Sequence, residues 1–229
     1  TVNGATLTAD RYGNANSAYN FDGSSNVIQV PNSSSLSNFD SISISGWFNS
    51  SSQSGEQGLV TKWFQNQNCS SNTDNYTCIL ANNQYTNFSQ SICGATNNYV
   101  GYQLQTSITS ITGTWTHFVF IHNNINGGKI YLNGVLVAQI STQGTLCSSI
   151  NPLLIGADNA NTIINRYFAG KLDDIGIWNR ALSQEEITNL YNNNLSTNSF
   201  ENTEALITIY PNPTNSSIYV DSSKSPDIL

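Results

Sequence analysis

The sequence predicts an all-β fold: a two-sheet antiparallel β-sandwich (jelly roll) with one short C-terminal helix. Short segments with alternating or continuous apolar residues recur along the chain, and turn residues separate nearly all of them. A single segment carries convincing start signals for a helix. At 229 residues the chain is long enough to bury one large β core, and this spacing favours a sandwich over a parallel α/β sheet.

The predicted strands follow one another at short intervals. They are residues 19–21, 27–30, 42–48, 58–63, 76–81, 99–105, 115–121, 129–132, 135–140, 153–156 and 170–178. Asn133-Gly134, between two apolar runs, is the strongest short-range hairpin signal. Residues 115–121 are apolar on both faces, which predicts a central strand covered on both sides.

The predicted helix begins after residue 182. Ser183 at the N-cap and Glu186 three residues later form a capping box. Leu182 before the cap and Ile187 in the first turn can close as a hydrophobic staple. These local signals predict one short helix packed on the sandwich.

Composition points to a secreted protein with an uncharged partner. Charged residues are 9% of the chain and the formal net charge is −7, against about 25% charged residues in an average soluble protein. Neutral Asn, Ser, Thr and Gln replace them, and such surfaces suit glycans. An acidic chain lacks the basic stripe that nucleic acid needs. No run is apolar and long enough to insert into a membrane, and no leader precedes Thr1, so we expect any signal peptide to have been removed.

Four cysteines (Cys69, Cys78, Cys93 and Cys147) and no methionine indicate an oxidising compartment. Three disulfide pairings are possible, and the sequence does not choose among them. Cys69 and Cys78 bracket a polar loop, which favours a local bridge and leaves Cys93 to pair with Cys147. The spacing does not suit zinc, since only two His are present.

Three stretches of the chain resemble the laminin-G-like jelly rolls of the concanavalin A-like superfamily. They are FDGSSNVIQVP at 21–31, ISISGWF at 42–48, and residues 115–191, which open with WTHFVFIHN and close with FAGKLDDIGIWNRALSQEEITNLY. The resemblance covers roughly residues 5–193. It implies a structural calcium joining the first and last strands, with Asp22 and Asp174 as carboxylate ligands and carbonyls from Gly23 to Asn26 completing the shell. The alternative is that Asp22 caps its turn and Asp173 is solvated.

Aromatic residues divide into a core set and a candidate binding set. Trp47, Trp115 and Trp178 lie in apolar segments and match core positions of the resembling family. Trp63, Phe64, Tyr85 and Tyr99 lie in or beside the Asn-rich segment 64–98, which carries three of the four cysteines. A sugar needs an aromatic face and amides around it, so this segment is the predicted ligand-binding region. The alternative is that these rings pin the segment to the sandwich.

Catalysis is not expected, and we assign no catalytic residue. A glycoside hydrolase needs two carboxylates that face each other across the sugar, and no Glu lies on a strand beside a second acid. Asp173 and Asp174 are adjacent, so a regular strand would direct them to opposite faces. His117 and His122 have no nucleophile beside them and are predicted to be hydrogen-bonded core or rim residues.

The sequence divides into a laminin-G-like domain at 1–195, a polar linker at 196–205 and a second segment at 206–229. The second segment contains Tyr-Pro-Asn-Pro-Thr at 210–214 and resembles the start of the C-terminal sorting domain of the Bacteroidetes type IX secretion system. That resemblance implies a location on the cell surface of a Bacteroidetes bacterium. The alternative is a Pro-rich turn between two edge strands.

These observations predict a secreted, surface-exposed module that binds a glycan or surface polysaccharide, with calcium in a structural role. A structural or protein–protein spacer module of an adhesin, in contact with other surface proteins, is the alternative. A glycan-active enzyme is the third reading.

Overall fold

The computed structural model describes residues 1–37, 39–51, 55–63, 75–81, 85–92, 100–107, 112–160, 163–192 and 207–209, with the backbone alone at 85–92, 100–103 and 207–209. In chain order, the strands are β1 (Val2–Asn3), β2 (Thr6–Thr8), β3 (Ala18–Asp22), β4 (Val27–Val30), β5 (Ser41–Ser50), β6 (Glu56–Lys62), β7 (Tyr76–Ala81), β8 (Tyr85–Ile92), β9 (Val100–Ser107), β10 (Thr116–Asn123), β11 (Gly127–Leu132), β12 (Val135–Ile140), β13 (Leu153–Ile155), β14 (Asp158–Ala160), β15 (Ile163–Asn165), β16 (Ala169–Trp178) and β17 (Ile207–Ile209). A 3-10 turn spans Ser34–Leu36, and helix α1 spans Gln184–Asn192.

Two large antiparallel sheets form the sandwich. Sheet A has the order β1-β4-β13-β6-β7-β8-β9, and sheet B has the order β12-β11-β10-β5-β16-β3-β2, with β17 added against β16. The strands β14 and β15 form a separate hairpin. The core lies between the two sheets, where Phe48 and Phe118 of sheet B and Tyr76 and Leu153 of sheet A are fully buried in one cluster. The predicted two-sheet antiparallel sandwich is therefore confirmed.

The central position predicted for residues 115–121 is also confirmed. Strand β10 lies between β11 and β5. Its inward residues Phe118 and Phe120 join the main core, while its outward residues Val119 and Ile121 pack with Leu182 and Ile187 of the α1 segment. Helix α1 covers this part of the outer face of sheet B, which is why the strand is apolar on both sides.

The helix start has the geometry that its sequence predicts. The N–H of Glu186 donates to Ser183 Oγ over 3.2 Å, and the N–H of Ser183 donates to Glu186 Oε2 over 2.8 Å. Leu182 and Ile187 are buried in the same cluster, as a staple requires. Arg180 adds a two-pronged ion pair to Glu186, with N···O distances of 2.8 and 2.6 Å.

Several short strands were not predicted. Strand β8 lies inside the Asn-rich segment 64–98, where its polar sequence YTNFSQSI gives no clear apolar alternation. Strands β1, β2, β14 and β15 have only two or three residues each. Segments so short show no period in the sequence.

The connections that contain cysteines join strands at one end of the sandwich, which we call the cysteine end. Strand β4 ends there at Val30 and β6 at Lys62, while β7 begins there at Tyr76 and β13 at Leu153, as their register shows. Strand β8 ends and β9 begins at the same end, at the paired residues Ile92 and Val100. The connections that leave these strands therefore converge on one end. The linker at 196–205 and most of the segment 206–229 lie outside the described residues.

Candidate functional site

The outer face of sheet A carries a row of neutral polar residues on β8 and β9. Leu104 is buried in the core, whereas Gln105 and Ser107 are exposed. Because neighbours alternate between the faces of a strand, residues 103, 105 and 107 share the face opposite to Leu104. The register pairs these positions with Ser89, Asn87 and Tyr85. We call Tyr85, Asn87, Ser89, Gln103, Gln105 and Ser107 the amide face.

Lys62 organises the cysteine end of the same sheet. Its side chain is fully buried. The ammonium donates to Asn32 Oδ1 over 2.7 Å and also to the carbonyl of Asn151. Burial lowers the pKa of Lys62 to about 8. Lys62 thereby joins the connection after β4 to the connection before β13. It also fixes the end of β6, from which the chain continues into the segment 64–98.

Buried polar groups continue on the neighbouring strand β7. The N–H of Asn75 donates to the carbonyl of Lys62 over 3.2 Å. Asn75 is fully buried, yet neither atom of its side-chain amide has a hydrogen-bond partner, and the hydroxyls of Tyr76 and Thr77 also have none. A group of buried polar atoms without partners is unusual in a folded protein and requires an explanation.

The four residues predicted to bind ligand are placed differently from one another. Trp63 follows β6 directly and is only 7% exposed, so its ring does not form an open stacking platform here, and its predicted ligand-binding role stays a prediction. Tyr85 begins β8 on the amide face. Phe64 and Tyr99 lie outside the described residues. Among the described residues, Tyr85 is thus the predicted aromatic residue that the register sets on the amide face.

The core tryptophans agree with prediction at two of three positions. Trp47 and Trp178 are 9% and 7% exposed. Trp115 precedes β10 and is only partly buried, which corrects its assignment to a core strand. Both histidines are buried, and His122 Nε2 lies 2.7 Å from the carbonyl oxygen of Gly144 as predicted, whereas His117 Nδ1 has no hydrogen-bond partner among the described residues.

The structure corrects one of the two predicted disulfide pairings. Cys78 is a free thiol, fully buried on β7 within the main core. The local Cys69–Cys78 bridge favoured from the sequence is therefore wrong, because Cys78 is on the inward face of a central strand and packs as an apolar side chain. Cys147 takes part in a disulfide. Cys69 and Cys93 lie outside the described residues.

Asp22 closes the turn between β3 and β4. Its Oδ1 accepts the backbone N–H groups of Ser24, Ser25 and Asn26 over 2.9–3.0 Å, and its Oδ2 accepts both serine hydroxyls. The backbone hydrogen bonds from Ser25 and Ser24 hold the pKa of Asp22 far below its usual range. Asn26 Oδ1 in turn accepts the N–H of Asp22. Gly23 takes a φ of 75°, which the turn requires.

Asp173 and Asp174 meet at one arginine. Arg11 Nη1 lies 2.8 Å from Asp173 Oδ2 and 2.7 Å from Asp174 Oδ2. The expectation that these carboxylates point to opposite faces, or that Asp173 is solvated, is wrong: the ladder shifts by a bulge after Asp173, and Asp174 has a φ of 47°. Asp173 is buried, and burial together with Asp174 raises its pKa to about 6 although Arg11 opposes that shift. Sequence reasoning missed Arg11, which is 162 residues away.

The predicted calcium ligands are not brought together. The register sets Asp22 opposite Ala169, five positions before Asp174 on β16, which corresponds to about 16 Å along a strand. The Asp22 carboxylate is occupied by its own turn, and Asp174 contacts Arg11. Residues 22, 23, 26 and 174 therefore do not fit one shared calcium shell, and among the described residues no cluster of three or more His, Cys, Asp or Glu could hold a metal ion.

A laminin-G family model, described as the concanavalin A-like lectin/glucanases superfamily, matches residues 22–188. No curated protein sequence matches the chain. Among the described residues, no helix is both long and apolar enough to cross a membrane.

Solved structures with a similar fold are named as binding domains. The binding domain of botulinum neurotoxin DC in complex with SialylT has a TM-score of 0.62 and 14% identity, over 84% of this chain and 45% of that one. The binding domain of the paraclostridial mosquitocidal protein 1 has a TM-score of 0.66 and 16% identity, over 85% and 47%. The chain thus spans about half the length of these toxin binding domains.

A shorter domain is matched over most of its length. The CBM40 of the Ruminococcus gnavus IT-sialidase bound to α2,3-sialyllactose has a TM-score of 0.53 and 14% identity, over 67% of this chain and 83% of that one. At such identities the likeness shows the fold.

Proposed function

Because the chain belongs to the concanavalin A-like lectin/glucanase superfamily, we propose that it is a carbohydrate-binding module of a secreted, surface-exposed protein. The observation that carries this proposal is the amide face. Register sets one aromatic residue, Tyr85, and three amide residues, Asn87, Gln103 and Gln105, on one face of two neighbouring strands. A neutral sugar is bound by an aromatic ring and neutral amides, so these residue types suit it.

The hydrogen bonds at the cysteine end also support the proposal, because they order the sheet that carries the amide face. Lys62, Asn32 and Asn151 tie three connections together, and the Cys147 disulfide adds a covalent constraint in the last of them. Groups that are held before a ligand arrives lose less freedom on binding. The neighbours with this fold are named as binding domains, one of them in complex with a sialylated glycan, which agrees with a binding role rather than catalysis.

The test is a glycan array of microbial and plant polysaccharides, followed by calorimetry with each glycan that binds. We expect Gln105→Ala to weaken binding by about tenfold, because it removes an amide that hydrogen-bonds the sugar. Gln139→Ala is the matched control, since Gln139 is an exposed glutamine on β12 of the other sheet. Equal affinity of Gln105→Ala and Gln139→Ala would move the site elsewhere. An array without any bound glycan would overturn the function.

A protein–protein role is the second candidate, and strand β12 favours it. This strand is at the edge of sheet B. Val135, Leu136 and Val137 are 63%, 39% and 40% exposed, and an apolar edge strand is a template for pairing with another chain. If this role is the real one, Val137→Lys abolishes binding to a surface protein while glycan binding is absent. Secretion by the type IX system and the Bacteroidetes cell surface remain proposals that rest on the resemblance of residues 206–229.

A further inference from the structure

Two exposed tyrosines lie near Trp47 on the outer face of sheet B, Tyr191 in contact with it and Tyr12 linked to it through Arg11. Tyr12 is 57% exposed and Tyr191 is 37% exposed, whereas Trp47 is 9% exposed. The Tyr191 ring stacks on Trp47 with centroids 5.7 Å apart and an interplanar angle of 18°. The guanidinium carbon of Arg11 lies 4.5 Å from the Tyr12 ring centroid and 4.6 Å from the Trp47 ring centroid. We call Tyr12, Trp47 and Tyr191 the aromatic row.

The structure holds Tyr12 in place although the ring is exposed. Its N–H donates to Asp10 Oδ1 over 2.8 Å, and the same oxygen accepts the N–H of Asn14 over 2.8 Å. One face of the ring rests on Arg11, which is nearly buried and paired with Asp173 and Asp174. The residue is 57% exposed, so a large part of the side chain is open to solvent. An exposed ring fixed by so many contacts is a stacking platform that is ordered before a ligand arrives.

The groups beside the row define the ligand class. The Asp174 carboxylate is 44% exposed, so it can accept hydrogen bonds from sugar hydroxyls while its Oδ2 contacts Arg11. Asp174 also has a φ of 47°, a backbone conformation that is maintained at functional sites more often than elsewhere. The cation at the row, Arg11, is buried and neutralised by two carboxylates. Asp10 and Asp174 would repel an acidic sugar.

We propose that the aromatic row is a second binding site, on the sheet opposite to the amide face, for a neutral oligosaccharide. Tyr12 and Tyr191 stack on sugar rings, and Asp174 accepts hydroxyl hydrogen bonds. Trp47 and Arg11 are positioning residues that set the two tyrosine rings. The ligand class rests on the proposed carbohydrate-binding function, but the site does not depend on the amide face.

The test is an NMR titration of the full chain, with backbone amide signals assigned. The probes are neutral hexasaccharides of glucose, mannose, xylose and galactose units, with α2,3-sialyllactose as the anionic comparison. We expect at least one neutral probe to shift the signals of Tyr12, Asn14, Asp174 and Tyr191, and sialyllactose to shift none of them. The absence of such shifts with every neutral probe overturns the inference.

Variants separate stacking from a purely structural role. Tyr12→Ala and Tyr191→Ala should each weaken binding of the responding probe by about tenfold, while Tyr12→Phe and Tyr191→Phe, which retain the ring, should bind within about twofold of the parent. Asp174→Asn keeps a residue that tolerates positive φ and removes the charge, and it should also weaken binding. Alanine variants that fold and bind like the parent overturn the inference.

The pattern of shifts also separates this inference from the proposed function. Shifts confined to Gln103, Gln105 and Ser107 overturn the second site and leave the carbohydrate-binding function intact. Shifts confined to the aromatic row support the second site and show that the amide face does not bind these probes. Shifts at neither surface overturn both.

Discussion

At the scale of single residues, Lys62 is a buried charge with two neutral acceptors. Its ammonium donates to Asn32 Oδ1 and to the Asn151 carbonyl, and both of these acceptors are neutral. Desolvation therefore prevails over hydrogen bonding, and it lowers the pKa of this group to about 8 from an unfolded value of 10.5. The contribution of Lys62 to stability must then depend on pH.

We predict that Lys62 makes the protein more stable as the pH rises from 8 to 10. In this range the unfolded chain binds more protons at Lys62 than the folded chain does, so the free energy of unfolding increases with pH. Urea unfolding of the parent and of Lys62→Met at pH 7 and pH 10 measures the effect. The free energy of unfolding of the parent, relative to that of the variant, should be higher at pH 10 than at pH 7. A difference that is the same at both pH values would contradict the prediction.

Cys78 leads to a second residue-scale prediction. Burial raises the pKa of this thiol well above its usual value, and Asp158 raises it further. Since the thiolate is the reactive form, the native protein should not react with a thiol reagent at Cys78. The denatured, unreduced protein should react there, and Cys78→Ala should lose that reaction. A denatured chain without any reactive thiol would show that Cys78 is in a disulfide.

At the scale of elements, helix α1 depends on its first turn. The capping box between Ser183 and Glu186 satisfies N–H groups that the helix cannot satisfy itself. Leu182 and Ile187 then anchor this turn on Val119, Ile121 and Trp178 of the outer face of sheet B. The helix carries Tyr191 in its last turn, so the cap also supports one end of the aromatic row.

We expect Ser183→Ala to lower the free energy of unfolding by about 1 kcal/mol, because the N-cap acceptor is lost. Ser183→Asp keeps an acceptor and is the control, with little change expected. Urea unfolding followed by tryptophan fluorescence reports this change, since Trp178 packs in the helix cluster. Equal stability of Ser183→Ala and the parent would mean that the cap does not contribute.

Strand β16 shows how one element joins distant parts of the chain. Its first half pairs with β3 and its second half with β17, and β5 runs along its other side. The bulge after Asp173 lies between the two halves. A bulge increases local twist and redirects side chains, and here it brings two successive carboxylates to Arg11.

At the scale of the whole molecule, the two sheets present different chemistry to solvent. Sheet A carries the amide face, while sheet B carries helix α1 and the aromatic row. The Asp22 turn lies at the end opposite to the cysteine end. A structural calcium stays a prediction of the family resemblance. Its effect on the melting temperature can be measured separately from that of the Asp22 turn.

The turn itself predicts that Asp22→Ala lowers the melting temperature by the same amount in millimolar calcium and in chelator. The variant loses an acceptor for three backbone N–H groups, a loss comparable to removing a helix cap, about 1 kcal/mol. Asp22→Asn keeps one acceptor oxygen and should lose less. Thermal unfolding of all three proteins in both solutions is the measurement. A loss that appears only with calcium would make Asp22 a ligand after all.

The sequence alone was sufficient wherever the signal was local. Period-two patterning placed β4, β7 and β12 at the observed bounds, and the capping box placed the start of α1. Asn133-Gly134 likewise marked the hairpin between β11 and β12. These features depend on residues a few positions apart in the chain, and the pattern of such residues determines the local backbone conformation.

Only the tertiary structure decided the site. The meeting of Arg11 with Asp173 and Asp174 depends on a bulge and on strands 162 residues apart in the chain. The free state of Cys78, the burial of Trp63 and the separation of Asp22 from Asp174 likewise follow from register and sheet order. A shift of one residue in register moves every side chain of a strand to the other face. Register between distant strands is set by packing of the whole core, which no local window of sequence contains.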